Sequence, residues 1–336
     1  MADTHSPIAV IIPYYQRERG LLRQCIQSVL AQKGRVDARV LVVDDASPVP
    51  AREEIADLAA DSGGAIRIIT QTNAGPAAAR NTGLDHVPPD TPFVAFLDSD
   101  DQWTGPFLPD AVAALGKGYD LFFGNTRRGS EQPRFEWHDD SRWRLRASDH
   151  RQFDRERDLH EFRGDFFDFL VHRTNVISAT AMAYRFDRSP ALRFRTSLFQ
   201  GEDRLFKLQL GQRLHSVAFS PKIYADEGLG VNVFDKSGWG TGGSLQLASN
   251  YTALGKIILE EIPLNHDQRA HIRRQLANSR HFFAASLLHL LRHRREVDWA
   301  QVRTTFRDDP ATAALLLPNL ARIVGGRLLG REGASR

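Results

Sequence analysis

Phe93-Val94-Ala95-Phe96-Leu97-Asp98-Ser99-Asp100-Asp101 carries five apolar residues straight into three carboxylates within four positions. The run begins after Thr91-Pro92 and ends in charge, which predicts a strand buried on both faces. The acids then stand at its carboxyl end, where an open α/β sheet holds its ligands. Carboxylates packed this closely repel one another and need a cation to share. Oxygen ligands suit Mg²⁺ or Mn²⁺, and such ions usually bridge to phosphates. A solvated acidic turn is the alternative for so short a motif, so the rest of the chain must decide.

Upstream, Ile8 to Ile12 is a β-branched run ending at Pro13, with Tyr14-Tyr15-Gln16 as the loop behind it. Leu21, Leu22, Cys25, Ile26, Val29 and Leu30 fall at helical spacing and predict a helix over 19–32. Arg39 to Val43 reads as a second strand, ending in Asp44-Asp45-Ala46-Ser47. A helix over 53–60 and a strand over 66–70 follow. Asn73-Ala74-Gly75-Pro76 is turn chemistry, with Pro76 suited to open a helix over 77–86. This alternation predicts an α/β fold with a mostly parallel, doubly wound sheet. No Gly-x-Gly-x-x-Gly follows the first strand, which counts against a dehydrogenase. Tyr14, Asp44, Asp45, Asn73, Asp98, Asp100 and Asp101 all cluster where strands end, so one site can use them all.

Downstream, the pattern predicts a helix over 107–115 and a strand over 119–124. Residues 126–164 are charged and aperiodic and read as a long loop or insertion. A helix over 165–172 and strands over 178–184 and 215–224 are expected, with Phe199-Gln200-Gly201-Glu202-Asp203-Arg204-Leu205-Phe206 opening another helix that runs to about 210. Gly228 to Gly243 holds six glycines and reads as a candidate lid. Residues 266–297 are helical and strongly basic, with Ile272, Leu276, Phe283, Leu287, Leu290 and Leu291 as the apolar stripe. A further apolar segment, 311–317, meets Pro318 and then 320–329. These helices either pack on the main domain or lie on an anionic membrane surface.

The composition of the 336 residues, 42% hydrophobic and 25% charged, is that of a soluble globular protein. The single cysteine, Cys25, excludes an internal disulfide framework and a cysteine-based zinc site, and its apolar stripe makes it a buried small hydrophobe. The opening residues lack a secretory pattern, and no run reaches the roughly 18 apolar residues that span a bilayer. A cytoplasmic location is expected. The net charge of +3 is too small to argue for nucleic acid, although basic residues gather in 127–163 and 269–307.

Four pieces now stand in order: Val10-Ile11-Ile12-Pro13-Tyr14-Tyr15, Val42-Val43-Asp44-Asp45-Ala46-Ser47, Asn73-Ala74-Gly75-Pro76-Ala77-Ala78-Ala79-Arg80-Asn81, and Phe96-Leu97-Asp98-Ser99-Asp100-Asp101. With Gly201-Glu202-Asp203 after them, the chain resembles the family-2 inverting glycosyltransferases of the GT-A (Rossmann-like) fold. The resemblance is strong over about 8–125, moderate to about 226 and weak beyond. It implies a GT-A domain over 1–226, split into a nucleotide-sugar half (1–125) and an acceptor half (126–226). A glycine-rich loop and basic helical extension would fill 227–336.

The resemblance also implies roles. Pro13 and Tyr14 would line the base pocket through backbone and ring. Asp45 would accept a hydrogen bond from the base N–H, with Asp44 assisting or supporting the turn. Asn73 and Gly75 would shape the loop over the nucleotide. Arg80 would face the base or the diphosphate, or else pair with a strand-end aspartate. Asp98 would contact the ribose or sugar. Asp100 would hold the cation, Mn²⁺ or Mg²⁺, with Asp101 as the next candidate. Asp203 would be the catalytic base, with Glu202 as its neighbour or as an acceptor-positioning group. The implied partners are a nucleoside-diphosphate sugar, with UDP favoured, and a glycan or lipid-linked acceptor, with peripheral contact to an anionic membrane.

Two departures matter. No Gln-x-x-Arg-Trp is present, which points to single addition rather than processive synthesis. The segment after the last expected core strand, Asp226-Glu227-Gly228-Leu229-Gly230-Val231-Asn232, holds no histidine, so no third metal ligand is named. His215 lies nearby but in a strand pattern, where a core role is expected. A nucleotidyltransferase and a non-catalytic binding module are the alternatives.

Overall fold

The computed structural model describes residues 6–33, 36–136, 144–228, 240–241 and 243–328. The chain divides into two compact units, Met1–Thr196 with Glu202–Val231, and Ser197–Gly201 with Asn232–Arg336. No helix among the described residues is long and apolar enough to cross a membrane.

The first unit is built on one sheet. Strands β1 (Ile8–Tyr14), β2 (Ala38–Asp44), β3 (Ile66–Thr70) and β4 (Phe93–Phe96) alternate with helices α1 (Leu21–Lys33), α2 (Ala51–Asp61) and α3 (Pro76–Asp85). All seven residues of β1 and all four of β4 are buried, as their continuous apolar runs require. Then come β5 (Gln102–Trp103), α4 (Phe107–Gly116), β6 (Leu121–Arg128), β7 (Arg151–Asp154), β8 (Leu159–Glu161), α5 (Phe166–Arg173), β9 (Met182–Arg185), α6 (Glu202–Gly211) and β10 (Val217–Glu227). The strand order is β3-β2-β1-β4-β9-β6-β10-β8-β7, with β5 paired to β10.

β1 lies between β2 and β4, and all three run parallel. The chain moves outward on one side of β1 to β2 and β3 and returns on the other side as β4. That reversal opens a crevice at the strand carboxyl ends. β6 and β10 are also parallel, and β9 lies antiparallel between β4 and β6. The mostly parallel sheet expected is thus present, with β9 reversed within it. The loop expected over 126–164 is only partly a loop, because β7 and β8 add an antiparallel edge beside β10. Strands of four and three residues are too short to show a period in sequence.

In the second unit, α7 (Ser244–Glu261) and α8 (His266–Arg292) are followed by α9 (Trp299–Asp308), α10 (Pro310–Ala314) and α11 (Leu316–Leu328). Asn265 and Gln268 form a reciprocal capping box that starts α8. Leu245, Ala248, Phe283, Leu287, Leu290 and Val302 make this unit's own small core. Leu291, expected in the apolar stripe of α8, is instead exposed. The expected lid over 228–243 falls almost entirely outside the described residues.

Close packing in the first unit sets one testable limit. A Cβ on Gly124 of β6 would strike the ring of Tyr224 on β10, whose hydroxyl donates to buried Asp110 (2.6 Å). Gly124→Ala should destabilise the fold by about 1–3 kcal/mol, read from urea unfolding, because the ring cannot leave without breaking that bond.

Candidate active site

The loops behind the first strands are laced together by side chains that carry no charge. The Gln16 backbone N–H donates to the Ser47 hydroxyl (2.9 Å), and that hydroxyl donates back to the Gln16 carbonyl (3.0 Å). The Gln16 side-chain amide donates to the Ser99 hydroxyl (3.1 Å), between Asp98 and Asp100. Three separate strand ends are therefore fixed to one another. None of these three residues stood out in the sequence, because their role exists only once the strands are adjacent.

The acids then divide into two kinds. Asp44 is buried, and its two oxygens accept from the backbone N–H groups of Ser47 and Ala51 (both 2.8 Å). It supports the turn and the start of α2. Asp45 is also buried. Its Oδ1 accepts from Gln71 Nε2 (2.7 Å) and Ala74 N (2.8 Å), and its Oδ2 accepts from Gly75 N (2.8 Å). Asn73 donates to the Asp45 carbonyl (3.0 Å), which closes the 71–75 loop onto β2. Gly75 has φ +87°, a conformation that favours glycine. One lone-pair direction on Asp45 Oδ2 meets no donor among the described residues. The Tyr14 ring lies in the core and burial pushes its hydroxyl pKa up to about 12, so only its main chain remains to meet a ligand. Pro13 is buried beside Val43 in the same strand pair.

Asp98 is partly exposed, and its Oδ1 accepts from Arg80 Nη2 (2.7 Å). Asp101 points inward. Its oxygens accept from the Thr180 hydroxyl and from Gly228 N (2.8 Å). Burial first, and then the charges of Asp98 and Asp100, push its carboxyl well above the usual carboxylate range. A Cβ on Gly228 would collide with the Asp100 carbonyl, so the end of β10 sits directly on the acidic turn. Cys25 is buried beneath the same turn, and its thiol donates to the Asp98 carbonyl (3.6 Å). Burial and the three nearby acids push that thiol up, so it is an inert group.

No cluster of three or more His, Cys, Asp or Glu side chains that could hold a metal occurs among the described residues. A Mg²⁺ or Mn²⁺ ion bound through one or two carboxylates plus phosphate oxygens needs no such cluster. Mutual repulsion in the 98–101 turn is the charge pattern that such an ion relieves. His215 supplies no ligand. It lies in the exposed turn before β10, at the far end of that strand, where its N–H donates to Asp120 (2.8 Å).

Arg80 joins the two halves of the site. It is buried, with Nη1 on Glu202 Oε1 (2.8 Å), Nη2 on Asp98 Oδ1 (2.7 Å), and its guanidinium 5.4 Å from the Phe194 ring centroid. Burial raises the Glu202 carboxyl, and Arg80 opposes that rise. With Glu202 buried and committed to Arg80, its neighbour Asp203 is the accessible acid, with a side chain 37% exposed. Asp203 Oδ2 accepts from Lys207 Nζ (2.9 Å), one helical turn on. The buried lysine also donates to the Ile177 (2.7 Å) and Thr174 (3.3 Å) carbonyls. Burial would raise the Asp203 pKa, but the Lys207 ammonium, its hydrogen bond and Arg80 hold it at about 2. Lys207 was missed in the sequence, although its i,i+4 spacing from Asp203 was a usable signal.

Removing Arg80 leaves Glu202 buried without its cation. Arg80→Ala should lower stability by about 3–5 kcal/mol in urea unfolding, and adding Glu202→Gln should recover part of that loss.

The chain matches the model of Glycosyl transferase family 2 over residues 9–179. It is 52% identical over 108 residues to the succinoglycan biosynthesis protein ExoW of Rhizobium meliloti, covering 32% of this chain and 34% of that protein. It is 35% identical over 116 residues to the minor teichoic acid biosynthesis protein GgaA of Bacillus subtilis, covering 34% and 24%. These matches span about a third or less of the relatives' length. Among solved structures, S. aureus TarS 1-349 in complex with UDP-GlcNAc superposes with a TM-score of 0.62 at 19% identity, over 97% of this chain and 93% of that one. The mannosyltransferase PcManGT from Pyrobaculum calidifontis, in complex with GDP-Man and Mn²⁺, gives 0.54 at 13% identity, over 97% and 88%. These two share the fold, the GT-A architecture. The family match covers just over half of the chain and takes in β1 to β4 with their acidic ends, so the chain belongs to glycosyl transferase family 2.

Proposed function

We propose that this glycosyltransferase is inverting, metal-dependent and non-processive. It moves one sugar from a nucleoside-diphosphate sugar, a UDP-sugar by preference, to a hydroxyl of a glycan or lipid-linked acceptor in polysaccharide biosynthesis. The reaction belongs at the cytoplasmic face of the membrane. The observation that carries this reading is the Arg80 bridge, which ties the strand-end acid Asp98 to Glu202 and so to Asp203. Relatives named for succinoglycan and teichoic acid biosynthesis support the acceptor class. The UDP-GlcNAc complex of TarS, a protein of the same fold, is consistent with a UDP-sugar donor. A nucleotidyltransferase is disfavoured by the loop after β1, where Gln16 is tied to Ser47 and Ser99 in place of a glycine-rich phosphate loop.

In this mechanism the main chain of Pro13 and Tyr14 borders the base, and the spare direction on Asp45 Oδ2 accepts the base N–H. Asn73 and Gly75 hold the covering loop in place through Asp45. Asp98 keeps one oxygen on Arg80 and offers the other to the ribose or the sugar. A divalent cation held by Asp100 would neutralise the departing diphosphate. Asp101 braces that turn from beneath. Asp203 takes the proton of the acceptor hydroxyl as the acceptor oxygen bonds to the anomeric carbon and the bond to the diphosphate oxygen breaks. A single displacement from the opposite face inverts the configuration. Lys207 keeps Asp203 Oδ2 occupied, so Oδ1 is the oxygen left to face the acceptor.

Asp203→Asn should retain Mn²⁺-dependent binding of UDP-sugar in calorimetry and lose turnover by about 10²–10⁴-fold. Turnover close to that of the unmodified enzyme would remove Asp203 from the base role.

A pH profile tests Lys207. With its folded pKa depressed to about 2, Asp203 stays ionised through the neutral range, and protonation removes the base only as pH falls toward that value. In Lys207→Met the ammonium no longer opposes burial, so the pKa rises from about 2, with Arg80 still holding it down. The acidic limb of kcat/KM should therefore move upward into the measurable range. An unmoved limb would show that Lys207 serves only packing.

A further inference from the structure

The second unit exposes large apolar side chains that its core does not use. Leu317 is 75% exposed, Trp299 52%, Leu291 50% and Val324 49%. Isolated exposed leucines are ordinary, but α8, α9 and α11, which all contribute to one small core, each leave a large apolar residue outside it. Leu291 follows Leu290, Trp299 lies one turn before Val302, and Leu317 follows Leu316. Leu290, Val302 and Leu316 all belong to or pack against one small core. Along α11, Leu317, Ala321 and Val324 fall at i, i+4 and i+7 and are all exposed, while Ile323 is buried on the other side. The helix is apolar on two faces and has a core for only one.

The charge around these residues is positive. Arg292, Arg294, Arg303 and Arg322 are exposed, and among the described residues none of them forms an ion pair. No Asp or Glu occurs from Pro310 to Leu328. Of the two acids between α8 and α9, Glu296 and Asp298, the second is engaged in capping α9 (2.9 Å to Gln301 N).

We propose that these exposed side chains, Leu317 and Val324 along α11 with Leu291, Trp299, Arg292 and Arg303, seat the second unit on an anionic lipid bilayer. The apolar side chains would enter the headgroup–acyl boundary, the indole suits that level, and the guanidinium groups would meet lipid phosphates. A second copy of the chain is the weaker occupant, because a self-complementary contact would bring arginine clusters of like charge together. The inference deepens the proposed function by naming the side chains that bring the enzyme to a lipid-linked acceptor. It rests on that reading for its purpose, and its test does not depend on it.

The full chain is sedimented with vesicles of phosphatidylcholine alone, and of phosphatidylcholine mixed with phosphatidylglycerol, at low and high salt. The double variant Trp299→Ser, Leu317→Glu is run beside it, and both are checked by light scattering for oligomeric state. The proposal expects the wild-type protein to partition onto the anionic vesicles only, less so as salt rises, with the variant at least about tenfold weaker. Soluble UDP-sugar hydrolysis should be equal in the two. Equal sedimentation of both proteins, wild-type binding to neutral vesicles as strong as to anionic ones, or no binding at all would overturn it. So would a wild-type oligomer that the variant dissolves into monomers, which would assign these side chains to a second copy. Failure of the functional reading is a separate result: donor binding and hydrolysis absent from both proteins, with sedimentation unaffected.

Discussion

A buried guanidinium shared by two carboxylates is the constraint on which the rest of this site depends. An isolated charge would not be stable where Arg80 sits, so both partners are required rather than ornamental. The planar fork of arginine meets Asp98 through one terminal nitrogen and Glu202 through the other, a geometry lysine cannot copy. Those partners come from the end of β4 and the start of α6, more than a hundred residues apart. Fixing them fixes the separation between the acid that would touch the donor and Asp203, next to Glu202.

Burial then sorts a crowd of acids into buried loop supports and partly exposed groups. Asp44, Asp45 and Asp101 turn toward backbone N–H groups or a buried hydroxyl and hold loops. Glu202 turns toward Arg80. Asp98, Asp100 and Asp203 keep some exposure. The two cations of the site, Arg80 and Lys207, are both buried and both committed to acids, so they act through carboxylates rather than directly on a ligand. Within this arrangement the 98–101 turn gathers three carboxylates, the location expected for a divalent ion and a diphosphate.

Much of this was legible in the sequence, for a physical reason in each case. Buried parallel strands are continuous apolar runs, so β1, β2 and β4 and the acids behind them could be read directly. Short connections made the order β1 to β4 follow. The orientation of β9 could not be read, because four alternating residues carry no sign of direction. The edge strands β7 and β8 were hidden in a charged segment, since their pairing to β10 uses backbone groups. α7 was missed because its buried face includes Ser249 and Thr252, which bond to carbonyls of their own helix, and Asn250, whose partner Gln200 is fifty residues away, so its apolar stripe is broken by polar residues. Likewise, nothing in the string Asp98-Ser99-Asp100-Asp101 tells which acid faces Thr180. That choice is made by a residue 79 positions away.

The central claim is that separate strand ends form one site for a sugar nucleotide and its cation, and titration calorimetry of UDP with and without Mn²⁺ tests it most directly. The protein and its Asp100→Asn variant are compared side by side. The account predicts that Mn²⁺ strengthens UDP binding by at least about tenfold in the unmodified protein, and that this gain disappears in Asp100→Asn. A Mn²⁺ gain of the same size in both proteins would contradict it.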